Sequence, residues 1–186
     1  MVNGYMSTGY SLILLIFCRF FMAIPLPPKL EKYFNRLSIK SRFFNRLLSF
    51  FFMPFVFKSG LKINFVEDDY YAILPKRRLN LNWYGTMSGG AILGNSELAA
   101  GSYLFMLSKG NYRMICTRLN YRFLLPSIDA IMYKASVDLD ELAEKIKTGG
   151  KFNIEMTIKV FRINKNKAGR RIGAGTVTFH MWPVGT

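Results

Sequence analysis

The sequence predicts an α+β domain in which an antiparallel sheet wraps one long, apolar helix. Three observations predict it. After Gly89-Gly90, residues to Leu107 are small or apolar over about five turns. On either side of that run, apolar residues alternate at period two, as in Leu61, Ile63 and Phe65 and again from Phe152 to Val160. The segments run strand, strand, long helix, then four strands with one short helical insertion. A helix this apolar is buried only if the sheet surrounds it.

The chain has 186 residues, which bounds it to one domain at residues 54–186 with an N-terminal helical extension at residues 1–53. Hydrophobic residues make up 51%, ample for a core. There are 26 Lys and Arg against 11 Asp and Glu, a net charge of +15. That balance favours an anionic partner and says nothing about fold. Cys18 and Cys116 are too few for a disulfide framework or a zinc site and fit a reducing compartment.

The extension opens with an apolar stretch at residues 10–28. Met1 to Tyr10 holds no Lys or Arg, against a signal peptide. Arg19 interrupts a run already short for a spanning helix. A packed helix and a membrane-associated helix both stay open, and Pro25, Pro27 and Pro28 end the element. Residues 29–53 read as an amphipathic helix with basic flanks, which fits a surface helix or one lying on an anionic membrane.

Leu61 to Phe65 and Tyr70 to Leu74 are the first two strands, with a turn at Glu67-Asp68-Asp69. Pro75 stops the second, and Lys76-Arg77-Arg78 leads into the loop from Asn82. The long helix ends near Ser108-Lys109-Gly110, where Gly110 suits a left-handed cap. Tyr112 to Leu125 is a strand with Ile115, Leu119, Tyr121 and Phe123 on one side and Arg118, Asn120 and Arg122 on the other. Ile128 to Val137 follows. Asp138 and Glu141 form a capping box for a short helix that Gly149-Gly150 ends. Residues 164–171 read as a basic loop, and Ile172 to Trp182 as the last strand, with Gly173 and Gly175 letting it lie close to the long helix.

Small residues crowd the long helix: Gly89, Gly90, Ala91, Gly94, Ala99, Ala100 and Gly101. Each Gly costs a helix roughly 1 kcal/mol relative to Ala, so close approach of another backbone is expected. Glu97 is the one acid in this run, on a stripe with Gly90, Leu93, Gly94, Ala100, Gly101 and Leu104. It is expected to be buried, where a carboxylate needs partners or a task. Other chemistries fare worse. The string around Ser88 is not a nucleophile elbow, and its one possible imidazole partner is the sole histidine, His180. Neither a metal-ligand cluster nor a phosphate-cradling loop is present in the sequence.

Asn82, Gly85, Gly89-Gly90 and Glu97 resemble the N-x-x-G-x-x-H-G-G…D/E signature of hot-dog-fold acyl-CoA thioesterases of the phenylacetyl-CoA type. The likeness covers roughly residues 50–182 and is closest to a bacterial branch classified as a domain of unknown function. Ser88 stands where those enzymes usually carry His. The resemblance implies a hot-dog fold and thioester hydrolysis. Glu97 would be general base or nucleophile, backbone amides at Gly89 and Gly90 the oxyanion donors, and Asn82 and Ser88 the hydrogen-bonding groups. Gly85, Thr86, Lys76, Arg77, Arg78, Arg118 and Arg122 are the candidate substrate-binding residues. No cofactor is implied; a coenzyme A or acyl-carrier-protein thioester is the substrate. The expected assembly is a homodimer or tetramer, in the cytoplasm, with peripheral membrane contact through residues 10–53 as an open addition. A non-catalytic acyl-binding module is the alternative. A nucleic-acid partner is disfavoured, because the basic residues are scattered and no recognised motif appears.

Overall fold

The computed structural model describes residues 54–66, 69–164 and 167–185, with isolated positions 27, 29 and 33 before them. The expectations for residues 1–53 lie outside the described residues, apart from helical backbone at Lys29 and Tyr33.

A short helix α1 (Pro54–Ser59) leads into β1 (Lys62–Val66) and β2 (Asp69–Leu74). A single 3-10 turn (Arg78–Asn80) precedes the long helix α2 (Gly89–Leu107). Then come β3 (Tyr112–Phe123), β4 (Ile131–Val137), α3 (Leu139–Thr148), β5 (Phe152–Asn164) and β6 (Lys167–Pro183). The strands form one sheet in the order β1-β2-β4-β5-β6-β3, antiparallel throughout. This is the hot-dog arrangement, with α2 against the inner face of the sheet.

The core lies between α2 and that face. Ile92, Ala99, Ala100 and Leu104 of α2 meet Leu74, Tyr133, Ile154, Met156, Ile158, Val177, Phe179 and Met181. The alternation of β5 supplies its share without a break: Ile154, Met156, Ile158 and Val160 are buried between exposed Asn153, Glu155, Thr157 and Lys159. Tyr70 and Tyr133 anchor the sheet to the helix by donating from Oη to the carbonyls of Ala99 at 2.6 Å and Ile92 at 3.1 Å. Burial pushes both phenols well above the ordinary tyrosine range, so they remain neutral donors.

Several local expectations hold for the expected reason. The Asp138 half of the capping box accepts from the backbone of Asp140 and Glu141 at 3.0 Å each, while the Glu141 carboxylate pairs with Lys145 at 2.6 Å, and Leu142 is buried. Gly110, Gly149 and Gly150 all take positive φ. Others are corrected. Residues 128–130 stay outside β4, and the supposed basic loop at residues 164–171 is mostly the far end of the β5–β6 hairpin. A bulge between Cys116 and Arg118 shifts the phase of β3. Tyr112, Met114 and Cys116 pack inward before it, Leu119 and Tyr121 after it, so Ile115 is 57% exposed rather than aligned with Leu119. Gly173 and Gly175 make room for β3, not for the helix. A Cβ on Gly175 would lie 2.0 Å from the Asn120 carbonyl oxygen, and one on Gly173 would meet the Tyr121 ring.

Candidate active site

The start of α2 is held by backbone and side-chain hydrogen bonds from three directions. The Ser88 N–H donates to the Asn80 carbonyl at 2.8 Å and the Met87 N–H to the Ser127 carbonyl at 2.7 Å. Asn80 is itself buried, with Nδ2 donating to the carbonyls of Ser59 at 2.8 Å and Pro75 at 2.9 Å. Ser59 Oγ–H in turn reaches Asn95 Oδ1 at 3.0 Å, while Asn95 Nδ2 donates to the Ala91 carbonyl at 2.8 Å. This chain of buried amides and hydroxyls joins α1, the 3-10 turn and α2, so the helix start cannot drift relative to the sheet. Its members lie too far apart in sequence for spacing to reveal them.

Asn82 organises the loop before the helix. Its Oδ1 accepts from the N–H of Tyr84 at 3.0 Å and Thr86 at 3.1 Å, and its Nδ2 donates to Thr86 Oγ1 at 2.8 Å. Gly85 turns the loop with φ of 73°. Asn82 and Thr86 are thus engaged with each other, and the tip carries Trp83 and Tyr84 out into solvent.

Ser88 is the N-cap residue of α2, but its side chain makes no capping hydrogen bond. The first N–H groups of a helix lack intrahelical partners, so those of Gly89, Gly90 and Ala91 face the approach to the helix end. Gly89 packs on Phe123, with 3.4 Å from a built Cβ to the ring. Gly90 is exposed, and only Ser88 Oγ, at 3.8 Å, stands near its missing side chain. The remaining helix glycines have a packing reason that corrects the expected backbone approach: Gly94 accepts the ring of Phe55, and Gly101 accepts Phe179 and Met114.

Glu97 is exposed in the single chain, which corrects the expectation that it is buried. The stripe it shares is covered at Gly94 by Phe55 and toward its C-terminal end, where Phe179 and Met114 lie over Gly101, and Ala100 and Leu104 are fully buried. Toward the N-terminus the stripe is open at Gly90 and Glu97. Glu97 lies close to β3. Burial pushes the Cys116 thiol up, and the nearby Glu97 carboxylate pushes it further. Along the helix axis Glu97 is roughly 10 Å from Gly90, seven residues at 1.5 Å each. One carboxylate cannot serve a carbonyl at the start of its own helix.

The basic candidates separate. Lys76, Arg77 and Arg78 are exposed just before the helix-start loop. Arg77 is turned back on its own chain: Nη1 donates to the Lys58 carbonyl at 3.4 Å and the guanidinium covers Gly60. Arg118 and Arg122 are exposed on the outward side of β3, away from α2. His180 is far from any pairing with Ser88. It lies on the outer side of β6, between inward Phe179 and Met181, where Nδ1 is 2.7 Å from Asn153 Oδ1.

Sequence reasoning missed Tyr121. It lies next to Phe123, with ring centroids 4.7 Å apart, and Phe123 touches Gly89. Its hydroxyl is buried with no hydrogen-bond partner among the described residues, and burial raises its pKa strongly. In sequence it is one aromatic in a strand; only the fold brings it near the helix start. A shallow depression between Glu141, Lys145, Thr148 and Phe152 lies elsewhere, and none of the site candidates borders it.

Comparison with known proteins places the fold. No family model and no curated protein sequence matches the chain. Solved structures do. A thioesterase family protein from Silicibacter pomeroyi is 15% identical, covers 80% of this chain and 98% of its own, and superposes with a TM-score of 0.59. A thioesterase from Haemophilus influenzae is 14% identical, over 78% of this chain and 93% of its own, with a TM-score of 0.60. The BH2602 protein from Bacillus halodurans, solved with CoA, is 16% identical over 79% of this chain and 87% of its own, with a TM-score of 0.55. At such identities the likeness is one of fold, and the chain has the hot-dog fold of these structures.

Proposed function

We propose that this protein hydrolyses acyl-CoA or acyl-carrier thioesters at a site shared between two copies of the chain. The observation that carries the reading is the start of α2. It is rigidly held, uncapped by Ser88, and open at Gly90. A thioester carbonyl seated there would meet the N–H groups of Gly90 and Ala91 and the positive end of the helix dipole. Glu97 of a second copy would activate water against that carbonyl, or attack it directly. As water adds to the carbonyl carbon its proton passes to Glu97, the C–S bond breaks, and the departing thiolate takes that proton. In direct attack the acyl group passes to the Glu97 carboxylate as a mixed anhydride, which water then hydrolyses to the free acid. The roughly 10 Å between Gly90 and Glu97 in one chain supports the two-copy arrangement.

A homodimer built through β3 suits this geometry. Among the described residues β3 pairs only with β6, so its outer edge offers unpaired backbone groups to a second β3. Glu97 lies near that edge. Lys76 and Arg78, just before the helix-start loop, are the cations offered to the phosphates of coenzyme A or to an acidic carrier protein, while Arg118 and Arg122, on the outward side of β3, are not placed to share them. The CoA in the Bacillus halodurans structure supports the choice of ligand. Asn82 and Thr86 shape the loop rather than reach for substrate, because their side chains bond each other.

One observation favours a second reading, an acyl-binding module without turnover. Ser88 cannot supply the positive charge of an imidazolium beside the oxyanion. Both readings are tested by one experiment: a panel of acyl-CoA thioesters with wild-type protein and with Glu97→Gln. Hydrolysis lost in the variant supports the enzyme. Equal rates in both overturn the role of Glu97, and tight acyl binding without turnover selects the module.

A further inference from the structure

The loop that leads to α2 carries a feature thioester chemistry does not need. Trp83 is 97% exposed, Tyr84 86% and Leu79 57%. Tryptophan buries more apolar area than any other side chain, and leaving one bare costs accordingly. The exposure is built in: the Asn82 side chain grips the backbone of Tyr84 and Thr86, and Gly85 closes the turn. Lys76 and Arg78, in the same segment of chain, are exposed as well. No acid occurs between Asp69 and Glu97.

We propose that this loop, residues 76–85, docks the protein on an anionic lipid bilayer. Trp83 and Tyr84 are amphipathic rings of the kind that settle at the headgroup boundary, with Leu79 adding apolar area. Lys76 and Arg78 meet the negative lipid surface. A two-fold contact centred on the loop is disfavoured, because it would bring cations against cations with no acid in the loop to answer them. The inference goes beyond the proposed hydrolysis and stands without it. It concerns a different segment from residues 10–53, so its test must report on the loop itself.

The chain has two tryptophans, so full-length Trp182→Phe leaves Trp83 as the sole reporter. The variant is mixed with vesicles of phosphatidylcholine alone or with phosphatidylglycerol added. With the anionic vesicles, Trp83 emission shifts to the blue and is quenched by lipids brominated along the acyl chain. Lys76→Ala with Arg78→Ala lowers partition roughly 30-fold, from two surface cations. In the otherwise unchanged chain, Trp83→Ala with Tyr84→Ala lowers flotation with the same vesicles about tenfold. Flotation with unaltered Trp83 emission would place the membrane contact elsewhere and overturn the proposal. So would emission already blue without lipid, the sign of a second copy on the loop. A shift produced by single-stranded DNA and not by vesicles would overturn it as well.

Discussion

Two residues on the open part of α2 separate catalysis from packing. Gly90 has free space where a side chain would be, and Val is no worse a helix former than Gly, so Gly90→Val keeps its own chain folded. In the proposed site that side chain blocks the thioester, and kcat/KM should fall by about a hundredfold or more. Circular dichroism melts alongside the kinetics make the distinction: a large drop in Tm would turn the result into one about packing. Glu97→Gln should leave stability within about 0.5 kcal/mol, because the side chain is exposed in the single chain. Its activity should fall by roughly 10²–10⁴-fold. Cys116 reports on where Glu97 lies. Burial and the neighbouring carboxylate both hold its thiol above its usual pKa, so removing the charge lowers that pKa and raises the thiolate fraction at fixed pH. In a Cys18→Ser background, Glu97→Gln should therefore speed iodoacetamide labelling of Cys116 a few-fold. An unchanged or slower rate at constant fold would put Glu97 away from β3.

Between elements, the contacts that position the helix start are polar and buried, and their loss has a calculable sign. Asn80→Ala leaves the carbonyls of Ser59 and Pro75 without their donor, at a cost of about 2–4 kcal/mol in urea unfolding. Asn80→Asp keeps the shape but replaces both donors with acceptors, and should be no better. The β3–β6 pairing is equally intolerant. A methyl group on Gly175 would overlap the Asn120 carbonyl oxygen, so Gly175→Ala should cost about 2 kcal/mol or more and reduce expression. Gly175 lies away from the proposed substrate path, so activity per folded molecule should persist in Gly175→Ala, whereas Asn80→Ala loosens the helix start and should lower it. The element boundaries themselves were largely legible. Alternation from Phe152 to Val160, the Asp138 cap and the glycine stops need only local chemistry. The bulge near Thr117 was not legible, because it depends on how β3 meets β6, and it moved Ile115 to the outside of the sheet.

At the scale of the assembly, the proposed site requires two copies, and subunit mixing tests this directly. Glu97→Gln or Gly90→Val alone should keep about a hundredth of the wild-type activity or less. Mixed and reassembled in equal amounts, they form hybrid dimers in which the intact Gly90 of one copy faces the intact Glu97 of the other. About a quarter of wild-type activity should return, since half the dimers are hybrids with one working site each. No recovery from demonstrably mixed dimers would confine both residues to separate roles within one chain.

The sequence alone determined the layer class, the order of strands and helices, and the unusual smallness of the long helix. Periodicity and local caps set those, and each is a property of neighbours in the chain. Tertiary structure alone decided which part of the Glu97 stripe is covered, because that depends on where α1 packs on α2 and how far β3 and β6 extend over it. It decided that Asn82 is spent on its own loop, that His180 lies on the outer side of the sheet, and that the ring of Tyr121, its hydroxyl buried, packs on Phe123 beside the helix start. Each depends on side chains distant in sequence meeting in space, which no local pattern encodes.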